Sequence, residues 1–295
     1  MKMTLIKYSL ATIALLTTFN LQLTSLHAQG SLAPPGAPAP TMKSLAQIEP
    51  RTPIASAPFS ITAGGSYYLT TNLTIGFVAN AITITANNVT LDLNGFTISS
   101  TTAAAGTAIQ LSGGVTNIAI HNGHISSGVT NSAGGVFGGS GFIYGIYYFG
   151  NVPYNVRVKE VSVAGVLSHG IYLGIFNSTV VESCTVNVAG NYGILAESVS
   201  DSTALNCGSY GIYADTAHNC KGSCVGSGFG LAATTANNCY GSSSSGTGLY
   251  AYAVATGCYG FSSSGTGLAG FLASACHGVS TSGTSLTATH NVNSF

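Results

Sequence analysis

The stretch Gly211-Ile212-Tyr213-Ala214 is followed by Gly230-Leu231-Ala232-Ala233, Gly248-Leu249-Tyr250-Ala251 and Gly267-Leu268-Ala269-Gly270, at intervals of 19, 18 and 19 residues. The same Gly-aliphatic step occurs upstream at Gly145-Ile146, Gly170-Ile171 and Gly193-Ile194, at intervals of 25, 23 and 18, and Ser285-Leu286 continues it downstream. A fixed period in this range marks a solenoid, in which no repeat buries its apolar face alone and stacked coils share one core. Two residues beyond each aliphatic stand Tyr148, Leu173, Ala196, Ala214, Ala233, Ala251, Gly270 and Ala288, a period-two inward pattern whose members shrink as the coils shorten. Nine residues before the glycine a second small column runs Val161, Cys184, Ser202, Cys220 (one position out of step), Cys239, Cys258 and Cys276.

Other repeat geometries fail on the residues. A hexapeptide left-handed helix needs an aliphatic at every sixth position, but steps of six from Ile194 meet Ser200, Asn206, Ile212, His218 and Cys224. The calcium-binding nonapeptide roll needs Gly-Gly-x-Gly-x-Asp, which the chain lacks. Parallel crossovers are right-handed, so the sequence predicts an all-β fold, a right-handed parallel β-helix (solenoid) with coils of about 18–25 residues over 59–290 and a tail at 291–295.

Composition agrees and removes whole classes of function. Of 295 residues only seven are Lys or Arg and seven Asp or Glu, 39 are Gly and none is Trp. Such a chain has no basic footprint for nucleic acid, and its 45% apolar content is too high for disorder. Lys2 and Lys7 precede an apolar run, Leu10 to Phe19, that ends in small residues at Ala28, so residues 1–28 read as a signal peptide. No later run is long enough to span a bilayer, and the reading is a secreted protein, extracellular or periplasmic or held at the cell surface. Residues 29–58 carry seven of the eight prolines and read as a Pro-rich linker or wrap, with a short helical candidate at 42–48.

The N-terminal half follows the scheme less regularly, through Ile82-Thr83-Ile84, Asn88-Val89-Thr90-Leu91-Asp92-Leu93-Asn94-Gly95-Phe96-Thr97-Ile98 and Asn117-Ile118-Ala119-Ile120-His121-Asn122-Gly123. Alternation ending in Asn-Gly reads as strand then turn. Together with Ser66-Tyr67-Tyr68-Leu69-Thr70 and the Pro34 to Pro53 leader, these segments resemble the opening coils of secreted bacterial right-handed parallel β-helix repeat proteins of pectin-lyase-like fold. The resemblance covers most of residues 34–290. It implies the fold strongly and an activity weakly, since that fold hosts lyases, hydrolases, epimerases and adhesins. The polygalacturonase pattern of paired acids, His-Gly and Arg-x-Lys is not met in order: His169-Gly170 has no adjacent Asp pair, and Arg157-Val158-Lys159 precedes it.

Two and four residues beyond the aligned glycine, alternation predicts outward side chains: Tyr147 and Phe149, Tyr172 and Gly174, Leu195 and Glu197, Tyr213 and Asp215, Ala232 and Thr234, Tyr250 and Tyr252, Ala269 and Phe271. Tyr147, Tyr172, Tyr213, Tyr250 and Tyr252, with His169 nearby, form an aromatic face suited to stacking on sugar rings of a polysaccharide or cell-surface glycan; the bland alternative is that the rings stack on one another. Glu197 and Asp215 share a column on adjacent coils, about 4.7–4.9 Å apart in the backbone. Such a pair is an acid/base candidate or a loose calcium site, with no other cofactor or metal implied. Lys159 and Glu182 read as a cross-coil ion pair, and His121 with His124 as a solvated turn. The seven cysteines read mostly as buried thiols, with Cys220–Cys224, or Cys207 with a neighbour, the best placed for a bridge. Asn72, Asn88 and Asn177 head glycosylation acceptor triplets. The functional expectation is a non-enzymatic β-helix with a glycan-binding, structural or adhesive role; the alternative is a polysaccharide lyase or glycoside hydrolase centred on Glu197 and Asp215. An uncovered terminal coil predicts either end-to-end self-association or a short wrap by residues 289–295.

Overall fold

The computed structural model describes residues 49–132 and 135–295, of which Pro50–Phe295 form one compact unit. The signal peptide, most of the Pro-rich stretch and the helical candidate at 42–48 lie outside the described residues. The described residues contain strands and turns and no helix, and hence no helix long and apolar enough to cross a membrane. The unit is a right-handed parallel β-helix. Its coils pair through parallel ladders throughout the main sheet, and one antiparallel hairpin, Thr130–Ser132 with Val136–Gly138, stands outside it.

Each coil runs over three faces. Face A carries Phe59–Ile61, Ile82–Ile84, Ala105–Ser112, Phe142–Phe149 and Ile171–Tyr172, then the front halves of Tyr192–Ser200, Tyr210–His218, Phe229–Asn237, Leu249–Thr256, Leu268–Ser274 and Leu286–Val292, which bend on to face B. Face B begins with Thr52–Ile54, Gly65–Leu69 and Val89–Asp92. Thr116–Ser127 and Tyr154–Val166 each bend from face B to face C, and face C continues through Thr185–Ala189, Thr203–Cys207, Lys221–Cys224, Tyr240–Ser243, Tyr259–Ser262 and His277–Ser280.

The register is the one the glycine spacing implies. Ile146, Ile171, Ile194, Ile212, Leu231, Leu249, Leu268 and Leu286 pair coil to coil, and the column extends back through Ile109 and Ile82 to Phe59. From Ile82 to Leu268 these aliphatics are fully buried, each contributing about 1.5–3 kcal/mol by leaving water. The preceding glycine is required by the opposite wall. A Cβ at Gly145 would lie 2.8 Å from Val163 Cγ1, and one at Gly193 would lie 2.6 Å from Ala204 Cβ. Further along, face C itself supplies glycine: a Cβ at Gly211 would lie 2.8 Å from the Gly222 carbonyl carbon. The two walls meet there backbone to backbone.

Two corner columns shape the bend between faces B and C. The residue entering it adopts a left-handed conformation at Asn122 (φ 63°), Glu160 (54°), Ser183 (54°), Asp201 (49°), Asn219 (52°), Asn238 (49°), Gly257 (61°), Ala275 (52°) and Asn293 (49°). Asn, Asp and Gly tolerate this conformation; other residues incur about 1–2 kcal/mol. Asn122-Gly123 is therefore a bend inside one continuous strand rather than a turn that ends it, whereas Asn94-Gly95, both with positive φ, is a turn. The cysteine column follows directly. Cys184, Cys220, Cys239, Cys258 and Cys276 are buried, and each thiol donates to the carbonyl two residues earlier, as Ser202 Oγ does to Ser200 O at 2.7 Å. All seven cysteines are unbridged. Cys220 closes this corner while Cys224 lies on face C in register with Cys207, so the bridge expected within the 220–224 spacing does not form. Burial pushes the Cys184 thiol up to about 11.

The ends differ from the sequence boundaries. Thr52–Ile54 already pairs with Tyr67–Leu69, inside the stretch read as linker; Pro53 is tolerated because, among the described residues, this strand pairs on one side only. At the other end Leu286–Val292 completes the last coil, and Phe295 bonds to Cys276 O and Gly278 N, extending the ladder past residue 290.

Candidate functional site

Face A carries a continuous aromatic surface in two rows. Because the aligned glycine and the aliphatic after it both face the core, alternation breaks there, and the residues on either side of this pair both point outward. One row is Tyr147, Tyr172, Leu195, Tyr213, Ala232 and Tyr250, in register. The other, immediately before each glycine, is Tyr144, His169, Tyr192, Tyr210 and Phe229, and strict alternation counted from the glycine had missed all of it except His169. The signal was available, since every residue preceding the first five aligned glycines is aromatic.

The rings contact one another in an unbroken chain. Tyr144 and Tyr147 stack at 4.1 Å between centroids, Tyr147 and His169 at 5.7 Å with an interplanar angle of 4°, and Tyr192 and Tyr210 at 4.6 Å and 1°. Tyr172 links His169 to Tyr192; Tyr213 stands edge-on to both Tyr192 and Tyr210 and reaches Tyr252; Phe229 joins Tyr210 to Tyr250. Each pair contributes about 0.5–1.5 kcal/mol beyond area burial. The smaller members of the front row lie under these rings: Leu195 is 6% exposed and Ala232 0%. The expectation that these two face solvent fails because their larger neighbours close over them.

This packing determines what the surface presents. Coil-to-coil stacking covers the ring faces and leaves edges and hydroxyls. Among the described residues, the phenols of Tyr147, Tyr172, Tyr192 and Tyr210 have no protein hydrogen-bond partner, and none is a buried unsatisfied atom. Burial, then neighbouring phenols, pushes Tyr192 up to about 12 and raises Tyr147 and Tyr172. All remain protonated donors at neutral pH. Tyr252 is raised by burial and by the neighbouring Tyr213 phenol. Burial pushes His169 down to about 4, so its imidazole is neutral; Nδ1 accepts from the Tyr192 amide at 3.4 Å, which places the proton on Nε2.

The two acids sit at the margin of this face, where A turns into B. Register brings Glu197 beside Asp215, between the pairs Ala196–Ala214 and Ser198–Thr216. Their surroundings differ. Glu197 Oε2 accepts from the backbone amides of Asn177 and Ser178, both at 2.6 Å, and the Glu197 amide donates to Thr179 Oγ1 at 2.9 Å. Glu197 thus anchors the loop that leaves the preceding coil. Asp215 makes no such contact and is half-buried. No group of three or more His, Cys, Asp or Glu side chains among the described residues is placed to hold a metal, so calcium at this pair would need its remaining oxygens from main chain and water.

The other polar residues pair locally. Lys159 Nζ lies 3.1 Å from Glu182, as the shared column implies, and Arg157 adds a longer contact at 3.8 Å. His121 lies 3.7 Å from Asp92, which also binds Arg51 at 3.0 Å, while His124 bonds Ser162 Oγ at 2.6 Å. The two histidines lie either side of the bend, on faces B and C, so they do not form a ligand pair.

No family model matches the chain, and no curated protein matches it. Among solved structures it is similar to the enzymatically active domain of tailspike protein 2 from bacteriophage CBA120, with 15% sequence identity and a TM-score of 0.31. The match covers 74% of this chain and 34% of that one, so the chain spans about a third of that structure's length.

Proposed function

We propose that this is an exported β-helix that binds neutral extracellular or cell-surface polysaccharide through face A without cleaving it. The observation that carries the reading is the row of protonated, unpartnered tyrosine hydroxyls repeated at the coil spacing on a nearly uncharged surface. A polymer of hydroxyl-rich units offers matching donors and acceptors along its length. The charge of the site supports a neutral ligand: His169 is uncharged, and Asp215 is the one carboxylate on this margin not engaged by amides. The commitment of Glu197 to a loop favours binding over a lyase or hydrolase built on Glu197 and Asp215, because an acid held by two amides is poorly placed to exchange protons with a substrate.

The test is a glycan-array screen with the full chain, run beside reducing-end and unsaturated-uronate assays. Binding without turnover, lost in Tyr172→Ala and Tyr213→Ala, supports the reading. Turnover that disappears in Asp215→Asn would make the protein an enzyme. End-to-end self-association through the outer edge of Leu286–Val292, which carries no partner strand among the described residues, belongs to the same proposal; sedimentation showing a strict monomer would remove it.

A further inference from the structure

If face A binds glycan, its ring geometry leaves a question: the tyrosines that offer hydroxyls have their faces covered by one another, so they cannot also supply the flat apolar surface on which a pyranose ring stacks. Two large rings on the same margin have open faces. Phe149 is 69% exposed and Phe176 74% exposed, and among the described residues neither meets another aromatic ring. Phe149 ends the strand of Tyr147, and Phe176 tips the loop that leaves the next coil after Tyr172.

That loop is locked in an unfavourable shape. Phe176 has φ 62° and Ser178 φ 54°, a conformation that costs about 1–2 kcal/mol for each residue bearing a Cβ. A fully satisfied polar network opposes the strain. Asn177, 2% exposed, donates through Nδ2 to Pro153 O and Leu173 O at 2.8 and 2.7 Å, and Thr179, 0% exposed, donates to Gly174 O at 2.9 Å. Glu197 holds the amides of Asn177 and Ser178 from the following coil, and the Asn155 amide donates to Asn177 O at 3.1 Å, joining this loop to the one after Phe149. So much buried structure around a bare, strained aromatic tip points to a tip presented in a fixed pose.

We infer that Phe176, on the margin that Phe149 also borders, is the stacking platform of the site, taking the apolar face of one neutral pyranose unit while the tyrosine hydroxyls of face A bind its neighbours along the chain. This inference rests on the glycan-binding reading above. Glu197 is then a positioning residue.

The chain contains no tryptophan, so Phe176→Trp installs a single fluorophore at the proposed contact. Phe77→Trp, at an exposed position on the opposite corner of face A, gives a control. Wild type, Phe176→Ala and both Trp variants are titrated calorimetrically with soluble β-glucan and galactomannan, with polygalacturonate as the anionic comparison, and the emission of the two Trp variants is recorded alongside. The expected result is a blue shift of Phe176→Trp emission on adding a neutral polymer, none in Phe77→Trp, and a roughly tenfold weaker Kd in Phe176→Ala. Binding that is retained in Phe176→Ala, or that leaves the Phe176→Trp emission unmoved, overturns the platform while the tyrosine reading stands. No binding of any polymer by wild type overturns both, and a preference for polygalacturonate overturns the neutral-ligand assignment.

Discussion

Replacing Glu197 by Ala separates a structural carboxylate from a catalytic one. In the native coil its Oε2 accepts two backbone amides at 2.6 Å, and Ala leaves Asn177 N and Ser178 N without a partner beside residues in left-handed backbone. Hydrogen bonds to a charged acceptor contribute about 1.5–3 kcal/mol each; partial solvent access to this side chain reduces the two together to about 2–4 kcal/mol. For a unit of this size that lowers Tm by about 4–16 °C. Asp215→Ala, in the same column and without those bonds, should change stability by less than about 0.5 kcal/mol. Urea denaturation with chymotryptic cleavage after Phe176 in the 174–179 loop measures both. Equal stability of the two variants, or a larger loss in Asp215→Ala, would refute the assignment of Glu197 to the loop.

Further outcomes follow from the corners, the thin core and the aromatic face. Ala275→Asn, which places a residue tolerant of φ 52° at an exposed position, should raise stability by about 0.5–1 kcal/mol in the same denaturation assay. Gly211→Ala drives a Cβ into the face C backbone at Gly222 and Ser223, and should abolish soluble folded protein as judged by circular dichroism. Cys258→Ser keeps a donor for Thr256 O at the corner, whereas Cys258→Val leaves that carbonyl without its thiol partner; Val should cost at least about 1 kcal/mol more than Ser. His169 has a folded value near 4, below its unfolded value, so the unfolded chain takes up the proton first as pH falls. Stability from this group is therefore full above about pH 6.5 and declines towards pH 4. Denaturation midpoints of wild type and His169→Phe across that window should diverge on the acid side.

The solenoid was legible because the glycine column is a steric requirement repeated in successive coils from Gly145 to Gly267: the opposite wall is filled by Val163, Val186, Ala204 or close-packed backbone, so each of these coils states the same constraint in the same residue. The inward Ile and Leu column and the small Cys/Ser column were read for the same reason. The aromatic face was read in part. Counting alternation from the glycine found Tyr147, Tyr172, Tyr213 and Tyr250 but gave Leu195 and Ala232 to solvent, because residue size across coils, rather than alternation within one, decides which outward residue is covered. Tyr192 and Tyr210 were passed over through the break in alternation that glycine itself causes. The shared column of Glu197 and Asp215 could be seen in the spacing. The tie from Glu197 to the Phe176 loop could not, since it depends on left-handed residues in an insertion that no repeat predicts.

Where the walls of the later coils touch backbone to backbone, a coil has almost nothing inside it to redesign. A duplicated coil of 18 or 19 residues would bring its own glycines and its own aliphatic, and would fit against either neighbour. Face A would then lengthen in whole steps, each adding one more row of side chains to the proposed binding surface. Length along the axis, rather than the shape of a pocket, is the property that such a chain can change most cheaply by gaining or losing coils.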